Sequence, residues 1–272
     1  MPELAEVETV RNVLKKQILN KKILDVKVLY SNMIESDLEE FKSILVGKTF
    51  NDILRKGKWL IFDLDGYYLI SHLRMEGKYF IKPESDKIEK HEHIIFKLSY
   101  GNTLRYHDTR KFGRMRLLKH DELKICTEIQ KQGLEPGDKN LTGEYLIEKF
   151  KGKRLPIKTT LLDQTITSGL GNIYVDEVLF KSNINPLKET NKITLEEANR
   201  ICESAEVIIK KAIENGGTTI RSYTSSLGVT GHYQDYLQVH KRENQECYVC
   251  KSKIKRVKIN GRSTYFCPKC QK

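Results

Sequence analysis

The sequence predicts an α+β protein of two domains and a metal-bound tail, and three observations carry that reading. Apolar residues recur mostly in strand fashion up to about residue 135 and mostly at helical spacing beyond it. A stretch rich in turn formers, GLEPGDKNLTG at 133–143, separates the two regimes. Residues 247–270 hold two Cys-x2-Cys pairs. A length of 272 residues suits two ordinary domains.

The elements follow in order. Leu4, Val7, Val10, Leu14 and Ile18 fall on one face of a helix that starts almost at the terminus. Such a helix holds residue 2 rigidly, and in MPELAEVETV that residue is a proline followed by Glu3. Removal of Met1 would leave Pro2 with a free secondary amine. Leu24, Val26, Val28 and Tyr30 alternate with polar residues as a half-buried strand does. WLIFDLDGYYLISHL predicts a hairpin about Asp65-Gly66, and HIIFKLSYGNTLRYHD one with Gly101-Asn102 at its tip. Beyond the boundary, Thr194 and Glu197 form a capping box. Leu195, Ala198, Cys202, Ala205, Ile209 and Ala212 make the apolar face of the helix it opens, and Asn215-Gly216-Gly217 stops it. Residues 222–246 are polar, contain glycine and predict a long loop. The expected scheme is a domain at 1–135, a linker at 136–143, a helical domain at 144–236 and the tail at 237–272.

Lysine and arginine number 48 against 36 acidic residues, a net charge of +12 with a pI near 9.2. Charge so distributed through a chain predicts a polyanionic partner, nucleic acid ahead of an anionic membrane surface. The plainer alternative is a basic solubilising surface. No apolar run approaches the roughly 20 residues that span a bilayer, and the acidic start is no secretory signal. The expected compartment is the cytoplasm. Cys126 and Cys202 stand alone and read as ordinary buried or half-buried thiols.

Cys247, Cys250, Cys267 and Cys270 have the spacing of two zinc knuckles, with 16 residues between the pairs for a β-hairpin. Four thiolates fill a tetrahedral sphere and leave no place for water, so one structural zinc per chain is expected. Lys253, Lys255, Arg256, Lys258 and Arg262 lie between the knuckles and suit a phosphate backbone. Gly169-Leu170-Gly171-Asn172 sits between two helical patterns, where free N–H groups at a helix start can bind an anion. Beside a basic hairpin, the favoured anion is DNA phosphate, with a tight structural turn as the alternative.

With these segments in view the chain resembles the bacterial formamidopyrimidine-DNA glycosylases over essentially its whole length. The resemblance rests on PELAEVET at the start, KGKW at 56–59, HLRMEG at 72–77 and DTRKFG at 108–113. LLDQ…GLGNIYVDEVLF at 161–180 and the terminal INGRSTYFCPKCQ complete it. It implies a β-sandwich domain flanked by helices, then a helix–two-turn–helix domain ending in a zinc finger. It also implies excision of 8-oxoguanine and formamidopyrimidines from damaged double-stranded DNA, followed by strand cleavage, in a monomer associated with the bacterial nucleoid.

Carried over by the same resemblance, Pro2 is the nucleophile, Glu3 the acid/base, Lys58 an aid to base loss and β-elimination, and Arg262 a partner of the flanking phosphate. Met75, Arg110 and Phe112 would fill the space left by the everted nucleotide. His91, Arg110, Lys153 and Asn172 would contact phosphates, and a loop from Tyr223 to Tyr233 would cover the base. Taken singly, Met75 and Phe112 read as core, Lys58 as a solvated lysine, and Glu3 and Glu6 as first-turn carboxylates. Two positions depart from the family pattern: Ala5 and Thr109 stand where proline is common. The rival readings are an endonuclease VIII-like glycosylase for oxidised pyrimidines and a non-catalytic zinc-finger DNA-binding protein. Leu4 and Met75 disfavour the first, and intact Pro2, Glu3, Lys58 and Arg262 the second.

Overall fold

The computed structural model describes residues 1–218 and 231–272. They group into two compact units: Met1–Pro2 with Glu6–Gln130, and Glu3–Ala5 with Lys131–Thr218 and His232–Lys272.

The first unit is a sandwich of two antiparallel four-stranded sheets. Its elements run α1 (Leu4–Ile18), β1 (Ile23–Val28), α2 (Leu38–Leu45), β2 (Phe50–Lys56), β3 (Trp59–Leu64), β4 (Tyr67–His72), β5 (Lys78–Pro83), β6 (Glu92–Leu98), β7 (Asn102–His107), β8 (Arg114–Lys119) and α3 (Thr127–Gln130). One sheet has the order β1-β6-β7-β5 and the other β2-β3-β4-β8. Alternation assigns each side chain to a face: Leu60, Phe62 and Leu64 of β3 enter the shared core with Ile94, Phe96 and Leu104. Trp59 and Ile61 point the other way and pack with Ile70, Leu118, Cys126 and Ile129. Both faces of β3 are thus covered, which is why WLIFDL reads as a nearly continuous apolar run. The expected α1 face is buried throughout, from Val7 to Ile18.

Two local expectations shift and a third holds. A register break between Ile23 and Asp25 interrupts β1, so Ile23 is buried and Leu24 is 47% exposed. The β6–β7 turn is made by Tyr100 and Gly101, both at positive φ, and Asn102 already belongs to β7. The β3–β4 turn is Asp65-Gly66 as expected, with Leu64 paired to Tyr67.

The second unit holds α4 (Gly143–Phe150), α5 (Ile157–Leu161), α6 (Asn172–Lys181), α7 (Leu195–Glu214), β9 (Lys255–Ile259) and β10 (Arg262–Phe266). The capping box at Thr194 and Glu197 is formed in full. The buried face of α7 is Ala198, Ile201, Ser204, Ala205, Ile208, Ile209 and Ala212, whereas Leu195 lies 45% exposed. The predicted long loop is in part a 3-10 turn, Tyr233–Tyr236, with Tyr233 in the helical core. Its Tyr223 end lies outside the described residues. β9 and β10 pair about Asn260-Gly261, both at positive φ, the geometry that suits a tight hairpin.

Candidate functional site

Glu3 and Leu4 belong to the helical unit and are fixed within it. Glu3 is 3% exposed. Its Oε1 accepts the N–H of Ile173 at 3.0 Å and its Oε2 that of Tyr174 at 3.3 Å. These are first-turn donors of α6, which lack partners within the helix, and the helix dipole favours a carboxylate there. The Leu4 N–H donates to Gly169 O at 3.0 Å. A Cβ on Gly169 would overlap Leu4, and one on Gly171 would overlap the Glu3 carboxyl. The glycines therefore admit residues 3 and 4 to the helix start. Two of the N–H groups at this helix start, those of Ile173 and Tyr174, are thus taken by the Glu3 carboxyl rather than left for a ligand. The Asn172 Nδ2 donates to Ser263 O at 3.0 Å, and its Oδ1 is buried without a hydrogen-bond partner among the described residues. Pro2 is buried and Met1 is 40% exposed.

Lys58 occupies the β2–β3 turn behind Gly57, whose φ is +56, and is 5% exposed rather than solvated. Arg55 fastens this turn: its Nη1 donates to Gly57 O at 3.0 Å and its Nε meets Glu8 of α1 at 2.7 Å. Nearby, the buried His72 accepts the Arg74 N–H through Nδ1 at 2.9 Å, so its ring proton is on Nε2. Burial, with the charges of Arg74 and Lys58 second, pushes its pKa down to about 3. A neutral imidazole beside Lys58 is a feature that sequence reasoning missed, although His72 opens the HLRMEG segment.

Met75 and Phe112 are 38% and 46% exposed, so neither is core. They line one open cavity of about 340 Å³ with Met1, Arg74 and Arg114. The Arg110 guanidinium lies over the Phe112 ring at 4.6 Å. Thr109, in the common proline position, donates its hydroxyl to Glu76. Ala5 is fully buried in the helical core. His91 is half-buried with φ +76. The segment before it is pinned by Arg105, whose guanidinium donates to Thr103, Glu92 and the carbonyls of Pro83, Asp86 and Lys87.

In the second unit, Arg262 opens β10 on the exposed side of the hairpin, and Lys153 is half-buried just after α4. A buried network sets the hairpin's place. Lys158 Nζ donates to Asp176 Oδ1 at 2.7 Å and to Ser263 O at 3.0 Å. His240 Nδ1 meets Asp176 Oδ2 at 2.8 Å. Glu177 accepts the N–H groups of Gln238, Val239 and His240. Burial lowers the Lys158 pKa, against the attraction of Asp176. None of these four residues was singled out from sequence, because ion pairing across 64 positions leaves no local pattern.

The Sγ atoms of Cys247, Cys250, Cys267 and Cys270 all lie within 4.8 Å of one another. Cys247 and Cys270 are 3.8 Å apart, Cys250 and Cys267 3.4 Å. Zinc–sulfur bonds of about 2.3 Å in a tetrahedron put the sulfurs about 3.8 Å apart. A disulfide would need about 2.05 Å. The donor set and spacing fit zinc, whose role is to brace the hairpin.

Comparison with known proteins agrees with this construction. Residues 1–115 match the Formamidopyrimidine-DNA glycosylase N-terminal domain, 132–224 the Formamidopyrimidine-DNA glycosylase H2TH domain, and 244–272 the zinc finger found in FPG and IleRS. The formamidopyrimidine-DNA glycosylase of Oceanobacillus iheyensis is 44% identical, over 100% of this chain and 98% of its own. That of Streptococcus pneumoniae is 43% identical over 100% and 99%. A Lactococcus lactis FPG mutant, solved with Fapy-dG containing DNA, superposes with a TM-score of 0.95 at 42% identity over the whole of both chains. The Lactococcus lactis Fpg complex with abasic site containing DNA gives 0.94, over 99% of each chain. By sequence and fold alike, the chain belongs to the formamidopyrimidine-DNA glycosylase family.

Proposed function

We propose that this protein excises oxidised purines from double-stranded DNA and then cuts the strand, with Pro2 as nucleophile. The observation that carries the reading is the seat of Glu3: a carboxylate buried on the α6 N-terminus, next in the chain to Pro2. The Met1–Pro2 nitrogen is an amide with no usable lone pair, so the proposal requires loss of Met1. The freed amine has a reference pKa of about 7.7–8.0, and a useful fraction is neutral at physiological pH.

Attack of that nitrogen on C1′ forms a C–N bond and breaks the glycosidic bond, and the base leaves with a proton. Opening of the sugar ring then breaks the C1′–O4′ bond, with a proton passing to O4′, and leaves an iminium that acidifies the C2′ hydrogen. Its removal expels the 3′ phosphate, and a second elimination expels the 5′ phosphate. Glu3 serves proton transfer at the sugar. Lys58, close to the neutral His72, assists base loss and β-elimination, and Arg262 serves the flanking phosphate. Met75, Arg110 and Phe112 fill the vacated space, as their exposure supports. His91, Arg110, Lys153 and Asn172 contact phosphates. Asn172 uses its backbone N–H for this, because its side-chain donor is engaged with Ser263.

In this reading 1–135 is the catalytic domain, 136–143 the linker, 144–236 the DNA-binding domain and 237–272 the zinc finger. The protein acts as a monomer on the bacterial chromosome in the cytoplasm, a setting that the bacterial relatives support. Among the described residues no helix is long and apolar enough to cross a membrane.

Glu3→Gln tests the reading. It keeps the shape of the side chain, but an amide does not exchange the proton, so base excision falls by about 10²–10⁴-fold. Binding to an 8-oxoguanine:cytosine duplex stays within a few-fold, as a gel-shift titration checks. Full excision by the variant contradicts the assignment.

A further inference from the structure

Residues 108–113 form an exposed loop around one buried carboxylate. The Asp108 side chain is 0% exposed, while Thr109, Arg110, Lys111 and Phe112 are all exposed. Asp108 Oδ1 accepts the Arg110 N–H at 2.9 Å. Its Oδ2 accepts those of Phe112 at 2.9 Å and Gly113 at 2.8 Å. Three converging N–H groups make a concavity suited to an anion, and here the protein supplies the anion itself. The loop also holds Lys111 in the left-handed region at φ +59. That conformation is uncommon for a lysine and persists where the surroundings dictate it. The Asp108 main chain is held as well, its carbonyl by His93 Nε2 at 2.9 Å and its N–H by His91 O at 3.0 Å.

We propose that Asp108 is the positioning residue that sets Arg110 and Phe112 in their stacked, exposed arrangement before DNA arrives. Side chains that enter a duplex act at the moment a base leaves it, and a loop ordered in advance loses less entropy at that step. Asp108 reaches no substrate atom in this scheme. It works through the backbone of the two residues that do, so the inference rests on their proposed space-filling role.

Two measurements test it. In the DNA-free parent protein, the N–H groups of Arg110, Phe112 and Gly113 should exchange with solvent slowly, although Arg110 and Phe112 are exposed. Free exchange at all three overturns the proposal and needs no variant. Asp108→Asn keeps the side chain's shape but turns an N–H toward at least one of those donors. Loss of a buried charge-assisted bond should lower excision at 8-oxoguanine:cytosine by about tenfold or more. In an Arg110→Ala/Phe112→Ala background the same change should cost less than about twofold, because coupled residues are non-additive. An equal loss in both backgrounds, or none in the parent, overturns it. No excision by the parent instead refutes the proposed function itself.

Discussion

Glu3 is a carboxylate almost free of solvent, and its position is explained by what it replaces. A helix start leaves N–H groups unsatisfied, and α6 has no side-chain cap of its own at Gly171. Glu3 supplies the acceptors from 170 residues away. Gly171 has φ −135, a conformation open to any residue, so its use is the space it leaves. Gly171→Ala is therefore a steric probe: its methyl would meet the Glu3 carboxyl. Overpacking of this kind costs about 1–3 kcal/mol. Displacement of Glu3 should lower excision by more than about tenfold, because each 1.36 kcal/mol on a barrier is tenfold in rate. Single-turnover assays with a thermal melt as control measure this, and an unchanged rate would show that Glu3 need not sit there.

At the scale of elements, the zinc hairpin is joined to α6 by buried ionic contacts. Asp176 is bound by Lys158, His240 and the Tyr265 N–H, and Glu177 by three backbone N–H groups before the first knuckle. The apolar cluster at the finger is small: Val239, Ile254, Tyr265 and the cysteines, with Phe180 of α6. So small a core needs its metal. Removing zinc with a chelator, or Cys267→Ser, should unfold 244–272 and release Arg262, weakening duplex binding by at least about tenfold. The sandwich should keep its structure in either case. Metal analysis, with a DNA titration of each form, checks the prediction. Full affinity without zinc would contradict the bracing role.

For the whole molecule, the sequence was informative wherever a local rule acts. The Asp65-Gly66 turn, the capping box, the α1 stripe and the knuckle spacing are each set by neighbours in the chain, and each is formed. Met75 and Phe112 needed their motif, since composition alone reads them as core. Less was legible where distant residues meet. Glycines at 169 and 171 announce a close approach without naming what approaches, and nothing in their spacing points to Glu3. The seats of Asp108, Lys158 and His72 depend on burial, which no spacing encodes. The bulge in β1 likewise arises from pairing with β6 rather than from its own residues.

All of this converges on one claim, that the amine of Pro2 forms the covalent intermediate. Borohydride reduction during reaction on an 8-oxoguanine:cytosine duplex, with mass mapping of the adduct, tests it most directly. Protein lacking Met1 should yield a stable protein–DNA adduct mapping to Pro2, and protein retaining Met1 should yield none, because its proline nitrogen is an amide. An adduct at Lys58, or a full yield with Met1 in place, would contradict the account.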